Sequence, residues 1–138
     1  LMLIGEGELK NEIRNLVSKL NINDKVLILN PKMNIQDYYQ AMDVFVLPSK
    51  FEGLGIVLIE AQANGLQCIC SNVVPDEVKI IDTMKKVPLE YNEWIEALED
   101  KKNRVSADEV LNRLRKNHYD INFEAKKLTD MYIKFMGD

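Results

Sequence analysis

The chain has 138 residues, of which 46% are hydrophobic and 29% are charged, and its formal net charge is −4 at pH 7. This balance is typical of a globular domain and excludes intrinsic disorder, collagen-like repeats and a small disulfide-stabilised scaffold. Mild acidity is a poor basis for binding a nucleic-acid backbone, so no nucleic-acid partner is expected. No apolar run approaches the roughly 18 residues that cross a bilayer, and nothing resembles a signal peptide.

Apolar runs and helical periodicity alternate along the chain. The run 1–4 predicts a strand that stops at Gly5-Glu6-Gly7, and the spacing of apolar residues predicts a helix over about 8–20. Further strands are predicted at 26–29, 44–47 and 67–70, and helices at 35–42 and 56–64, with Gly65 as a helix C-cap. Segments 78–81 and 86–87 indicate a helical turn and an edge strand, and helices follow at about 91–101, 106–117 and 122–136.

The predicted strands are continuous apolar runs separated by helices. This pattern is typical of a parallel sheet buried on both faces, so the fold class is predicted as an open, doubly wound α/β domain. We expect 1–138 to form one domain, with 91–138 as its helical C-terminal part. Because the chain starts on a strand without an initiator Met, it is expected to be a piece of a longer protein.

Cys68 and Cys70 lie one residue apart within a predicted strand. Their thiols then point to opposite faces and cannot form a disulfide with each other. Buried, reduced thiols in a cytoplasmic protein are the favoured interpretation. His118 is the only histidine, so a metal site with soft ligands is not expected.

Ligands of such folds bind beyond the carboxyl ends of the strands. Three loops are predicted there, namely Gly5-Glu6-Gly7, the loop from Asn30 to Met33, and the loop from Pro48 to Gly55. The third loop precedes a helix whose first turn would offer free backbone N–H groups to an anion, and its two glycines allow close approach.

Glu60 lies about one turn into this helix, among mostly apolar neighbours. A carboxylate there is costly unless a partner satisfies it, and the vicinal hydroxyls of a ligand would do so. Glu60 could equally complement the dipole of its own helix or pair with Lys50, and Glu52 could be an exposed loop residue. The residues alone leave both interpretations open.

The segment Leu47–Leu66 resembles the signature of the family-4 (group 1) retaining glycosyltransferases. In that family a strand ending in Pro-Ser precedes Glu-Gly-Phe-Gly and a helix with Leu-Glu-Ala, and two glutamates lie eight positions apart, as Glu52 and Glu60 do here. Segments 3–9, 23–30 and 41–46 are similar to other parts of the family pattern. Glu60-Ala61-Gln62-Ala63 and the tail 94–121 resemble the branch that builds capsular and exopolysaccharides.

The resemblance implies a Rossmann-like domain, the C-terminal, donor-binding half of a two-domain glycosyltransferase of the GT-B type. Glu60 would hold the ribose hydroxyls of a nucleoside-diphosphate sugar, and Glu52 would contact the donor sugar as the catalytic residue. Backbone N–H groups around Gly53, Leu54, Gly55 and Ile56 would face the sugar and diphosphate. The nucleotide base would be bordered by Gly5, Gly7, Asn30, Lys32 and Met33. No metal ion or other cofactor is implied, because the helix N-terminus stabilises the departing diphosphate.

Two substitutions depart from the family pattern, since Leu54 replaces the usual Phe and Gln67 stands where Pro is common. The basic pair that neutralises the diphosphate, and the domain that binds a saccharide or lipid-linked acceptor, are expected in a preceding part of the protein. The chain alone is therefore expected to be inactive as a hexosyltransferase and to bind donors weakly. The complete enzyme is expected in the cytoplasm, where the inner face of the plasma membrane is one location it could take.

Three other functions share parts of this pattern. A phosphorylatable receiver domain needs an Asp at the end of the third strand, where Pro48-Ser49 stands, and is rejected. A non-catalytic partner subunit of a glycosyltransferase is disfavoured by the presence of both Glu52 and Glu60. A nucleotide-sugar epimerase of the same architecture stays open.

The C-terminal part carries two further expectations. The helix with Phe123, Leu128, Met131, Tyr132 and Phe135 is predicted to expose an apolar patch that supports packing on another domain or self-association. Lys126-Lys127 is predicted to lie on a solvated face, with contact to an anionic membrane surface as the alternative.

Overall fold

A computed structural model of the chain describes residues 1–31 and 33–136. The contacts divide the chain into two compact units, an N-terminal unit that ends at Ile35 and a C-terminal unit that begins at Gln36. Lys32, one of the residues expected near a nucleotide base, lies outside the described residues.

The N-terminal unit contains a pair of parallel strands and a helix. Strand β1 (Met2–Ile4) pairs with β2 (Leu27–Leu29), and between them lie helix α1 (Lys10–Lys19) and a 3-10 turn (Asn23–Lys25). The order and type of these elements confirm the sequence prediction. Both strands are only half-buried and Leu27 is 50% exposed, so the expectation of strands buried on both faces is wrong here. Among the described residues of this unit, α1 is the one complete α-helix that could cover the two faces of the pair, so part of the apolar surface stays uncovered.

The C-terminal unit is built on a three-stranded parallel sheet in the order β3-β4-β5. Its strands are β3 (Val44–Leu47), β4 (Gln67–Ser71) and β5 (Met84–Val87). The helices are α2 (Ile35–Ala41, which starts at the last residue of the N-terminal unit), α3 (Ile56–Ala63), α4 (Tyr91–Glu99), α5 (Ala107–Lys116) and α6 (Ile121–Met136), and a 3-10 turn lies at Asp76–Val78. The predicted edge strand at 86–87 is therefore confirmed within β5, and the predicted helical turn begins two residues earlier than expected.

The central strand β4 is buried at all five positions. On one face Ile69 packs with Val87 and Ala97, and the half-buried Trp94 covers this cluster, so Trp94 is a core residue as predicted. Cys68 and Cys70 are free and buried. Burial raises the pKa of the Cys68 thiol to about 12 and that of Cys70 to about 11, so both stay protonated at neutral pH.

Two buried glutamine amides tie the elements of this unit together. Gln62 on α3 is fully buried, donates to the carbonyl oxygens of Leu58 and Val78, and accepts from the N–H groups of Ile80 and Ile81. Gln67, where the family pattern favours Pro, donates to the Asp100 carbonyl and accepts from the Lys102 N–H, each at 2.8 Å. The Gln67 side chain therefore connects β4 to the chain that follows α4.

Gly65 ends α3 in the left-handed region, with φ of 73°, which confirms the predicted C-cap. A Cβ atom at this position would overlap the carbonyl oxygen of Val105. The next helix α5 begins after Ser106, whose hydroxyl accepts from the Glu109 N–H.

Helix α6 has no buried residue. The exposed apolar side chains predicted for it are present, and Phe135 is 74% exposed. His118, just before α6, is exposed as expected and accepts or donates a hydrogen bond with Glu124 at 2.9 Å. None of the described helices is long and apolar enough to cross a membrane.

Candidate functional site

The loop after β3 ends in a left-handed glycine at the start of α3. Gly55 is the N-cap residue, has φ of 77° and is buried, and no side chain caps the helix. The Leu58 N–H is bonded to the Gly55 carbonyl at 2.9 Å, and the N–H groups before it have no intrahelical partner by geometry. Gly53, Leu54 and Ile56 are exposed on either side of the buried Gly55, so the turn lies at the surface, as an anion site requires.

Glu52 lies against this turn. A Cβ on Gly55 would lie 3.4 Å from Glu52 Cγ, which means that the Glu52 side chain lies beside Gly55, the N-cap residue of α3. The Ser49 hydroxyl donates to Glu52 Oε2 at 3.0 Å, and the Ser71 hydroxyl of β4 fixes the Ser49 carbonyl at 2.6 Å. Glu52 is half-buried and held in place, so the interpretation of a freely exposed loop residue is wrong.

Glu60 is half-buried on α3 and accepts a hydrogen bond at Oε2 from the Tyr39 hydroxyl, at 2.9 Å. Among the described residues no ion pair joins it to Lys50, so that alternative is wrong. Glu60 is five residues beyond Gly55, or about 7.5 Å along the helix axis at 1.5 Å per residue. The two glutamates therefore belong to one loop–helix segment.

Tyr39 was not identified from the sequence. It is 2% exposed and lies on α2, and its ring packs against that of Phe45 at a centroid distance of 5.6 Å and an interplanar angle of 70°. The spacing of Ile35, Tyr39 and Met42 puts Tyr39 on the apolar face of α2, so the sequence does indicate that the Tyr39 ring is buried. Nothing in the spacing indicates that the hydroxyl reaches α3.

The residues predicted near a nucleotide base lie in the N-terminal unit. Gly5 and Gly7 follow β1 and line a cavity of about 520 Å³ together with Lys10, whose ammonium group bonds Asn30 Oδ1. These members of the predicted set are brought together. Met33 is 99% exposed and does not line this cavity.

Another cavity of about 460 Å³ lies beside Arg104 in the C-terminal unit. The guanidinium donates to the carbonyl oxygens of Asn64, Tyr39, Gln40 and Met42 at 2.7–2.9 Å. These carbonyl groups lie at the C-terminal ends of α2 and α3, where a positive charge is favourable. Arg104 therefore has a structural role, which the sequence analysis missed. Within 1–31 and 33–136, no group of three or more His, Cys, Asp or Glu side chains is placed to hold a metal ion.

Comparison with known proteins identifies the family. The model of the family "Glycosyl transferases group 1" matches residues 1–121, which excludes almost all of α6. The chain is 32% identical over 140 residues to the UDP-Gal:alpha-D-GlcNAc-diphosphoundecaprenol alpha-1,3-galactosyltransferase of Escherichia coli, covering 96% of this chain and 36% of that protein. It is 32% identical over 118 residues to the amylovoran biosynthesis glycosyltransferase AmsD of Erwinia amylovora, covering 85% of this chain and 32% of that protein.

Among solved structures, the sucrose-phosphate synthase of Thermosynechococcus elongatus superposes with a TM-score of 0.72 and 25% identity, covering 99% of this chain and 38% of the other. The chain thus spans about a third of the length of these relatives. The parallel sheets and the structural match confirm the predicted Rossmann-like α/β fold. The chain belongs to the group 1 glycosyltransferases.

Proposed function

We propose that the chain is the donor-binding part of a retaining glycosyltransferase that moves a sugar from a nucleoside-diphosphate sugar to a saccharide or lipid-linked acceptor in cell-surface polysaccharide synthesis. The remainder of the protein would supply the acceptor-binding domain. The named functions of the Escherichia coli and Erwinia amylovora relatives support this class of donor and acceptor. These names give no support to an epimerase or a non-catalytic partner.

The observation that carries the proposal is the position of the two glutamates on one loop–helix segment. Glu52 lies in the preceding loop beside Gly55 at the uncapped start of α3, and Glu60 lies on α3 with its Oε2 already bonded to Tyr39. Glu60 would accept hydrogen bonds from the two ribose hydroxyls, since an ionised carboxylate is an acceptor at both oxygens. Glu52, oriented by Ser49, would accept from hydroxyls of the donor sugar.

The chemistry of transfer places growing negative charge on the departing nucleoside diphosphate. The free N–H groups from Gly53 to Ile56 and the positive end of the α3 dipole are suited to stabilise that charge. They do so without reorganising, because Gly55 already holds the left-handed turn. We propose that no metal ion or other cofactor is needed for this step in this protein.

The test is calorimetric titration of the complete protein with UDP, GDP, ADP and dTDP, after a thermal-shift screen of the same compounds. Binding to the native state should raise the midpoint, by an amount equivalent to about 2.7 kcal/mol at a ligand concentration of 100 times Kd. Glu60→Gln should weaken binding about a hundredfold, while Glu96→Gln, at an exposed position of α4, should leave it unchanged. Failure of all four compounds to bind, or equal binding by Glu60→Gln, would contradict the proposal.

The location and the partners of α6 stay predictions. A cytoplasmic enzyme at the inner face of the plasma membrane would have access to nucleotide sugars and lipid-linked acceptors. Self-association through the exposed apolar side chains of α6 would appear as a concentration-dependent mass in analytical ultracentrifugation. Membrane contact through Lys126 and Lys127 would instead appear as co-sedimentation with vesicles of anionic lipid that salt reverses.

A further inference from the structure

A buried tyrosine holds one oxygen of Glu60. Tyr39 on α2 is 2% exposed, and its hydroxyl lies 2.9 Å from Glu60 Oε2 and 3.4 Å from the carbonyl oxygen of Val57. A phenol has one proton to donate, and the shorter distance and the negative charge assign it to Glu60. The Tyr39 ring makes a near-perpendicular contact with Phe45 of β3, which helps to fix the position of the hydroxyl oxygen.

The Tyr39 hydroxyl keeps its proton and so remains a hydrogen-bond donor. Burial first, and then the hydrogen bond and charge of Glu60, raise the pKa of Tyr39 well above its ordinary value. The hydroxyl therefore stays protonated throughout the pH range in which a carboxylate is ionised. Cys68 on β4 is the other titratable group that acts on Tyr39, and it also stays neutral there because its pKa is raised to about 12.

The second oxygen of Glu60 is left for another partner. Among the described residues nothing donates a hydrogen bond to Oε1, and Oε1 is absent from the buried, unpaired polar atoms, which include only Thr83 Oγ1. A half-buried carboxylate with one oxygen fixed by the protein and the other accessible has a set orientation before any ligand arrives. Preorganisation of this kind lowers the entropy cost of binding.

We propose that Tyr39 is a positioning residue for donor binding, because its hydroxyl fixes Glu60 Oε2 and thereby directs Oε1 to a ligand hydroxyl. The inference rests on the proposed function of Glu60 and adds a residue from a different element to the site. It also implies that α2 helps to shape the site although none of its residues needs to touch the donor.

The experiment compares Tyr39→Phe with Tyr38→Phe in the complete protein. Tyr39→Phe keeps the ring against Phe45 and removes only the hydroxyl, whereas Tyr38, half-buried on the same helix, makes no side-chain hydrogen bond among the described residues. Titration with UDP, GDP, ADP and dTDP should show affinity for the bound nucleotide reduced about tenfold by Tyr39→Phe and unchanged by Tyr38→Phe. KM for the matching sugar nucleotide should rise more than kcat falls.

A double-mutant cycle separates positioning of Glu60 from a general loss of stability. In a Glu60→Ala background, assayed by KM or by binding at high ligand concentration, adding Tyr39→Phe should cause no further loss.

An unchanged affinity in Tyr39→Phe, or an equal loss of affinity with and without Glu60, would overturn the inference while nucleotide binding by the wild type still supports the proposed function. Absence of binding of all four nucleotides by the wild type would overturn both.

Discussion

Ser49 and Glu52 are joined by a hydrogen bond of 3.0 Å from the serine hydroxyl to Oε2. The relationship matches that of Tyr39 and Glu60, where a hydroxyl also holds one carboxylate oxygen, at 2.9 Å. Among the described residues neither glutamate is paired with a lysine or arginine. Both carboxylates are therefore oriented by neutral donors, and their negative charge stays available to the hydroxyls of a ligand.

Ser49→Ala tests the orientation of Glu52. Loss of the hydroxyl frees the Glu52 side chain, and a hydrogen bond to a charged group contributes about 1.5–3 kcal/mol. We expect kcat/KM for the sugar nucleotide to fall about tenfold, measured by initial rates of the complete enzyme. Ser18→Ala, which removes an exposed hydroxyl bonded to Asn23, is the matched control and should retain full activity. Wild-type kcat/KM in Ser49→Ala would show that the Ser49 hydroxyl does not orient Glu52 for the reaction.

Gly55→Ala tests the left-handed turn at the start of α3. With φ of 77°, an alanine there is strained, and its Cβ would lie 3.4 Å from both Glu52 Cγ and Leu58 Cδ1. We expect a loss of about 1–2 kcal/mol in the free energy of unfolding, measured by urea denaturation. Gly53→Ala is the control for stability, because its added Cβ meets nothing within 4 Å. Equal midpoints for the two variants would contradict the need for glycine at position 55.

The local part of the site could be predicted from the sequence. The strand end at Leu47, the glycine turn and the helix from Ile56 depend on short-range rules, and the structure confirms each of them. The partner of Glu60 could not be predicted, because Tyr39 lies 21 residues away on another helix. Apolar spacing shows which face of a helix is buried, and it does not show which polar groups meet across that face.

The same reason explains why Arg104 was missed. Its hydrogen bonds to Asn64 and to the end of α2 span 40 to 65 residues, and nothing local in its sequence marks it. The exposure of β1 and β2 was mispredicted for a different reason. An apolar run indicates that a strand can be buried, whereas its actual burial depends on the number of neighbours that cover it.

Gln62→Met tests the buried amide that joins α3 to residues 78–81. Methionine has a similar shape but leaves the Val78 carbonyl and the N–H groups of Ile80 and Ile81 without their partner. Unsatisfied buried groups are costly, so we expect a loss of about 3 kcal/mol in the free energy of unfolding. Urea denaturation of Gln62→Met and of Gln36→Met, at an exposed position, provides the measurement and its control. A loss no greater than that of the control would show that water replaces the amide.

Asp120→Asn tests a pH-dependent link between α5 and α6. The Arg115 side chain donates to Asp120 Oδ2 at 2.8 Å, and the N–H groups of Asn122 and Phe123 donate to Oδ1. The hydrogen bond from Arg115, followed by those from the Phe123 and Asn122 backbone, holds the pKa of Asp120 below its usual value. A carboxyl with a lowered pKa in the folded state adds stability above its unfolded pKa of about 3.9 and loses that contribution as pH falls through the folded value.

The thermal midpoint of the wild type should therefore decline more steeply than that of Asp120→Asn when the pH is lowered from 6 to about 2.5. Asp130→Asn, at an exposed position of α6 without a side-chain hydrogen bond among the described residues, is the control and should keep the wild-type slope. Parallel midpoint curves for the wild type and Asp120→Asn would mean that the Asp120 carboxylate is no better stabilised in the folded chain than in the unfolded one.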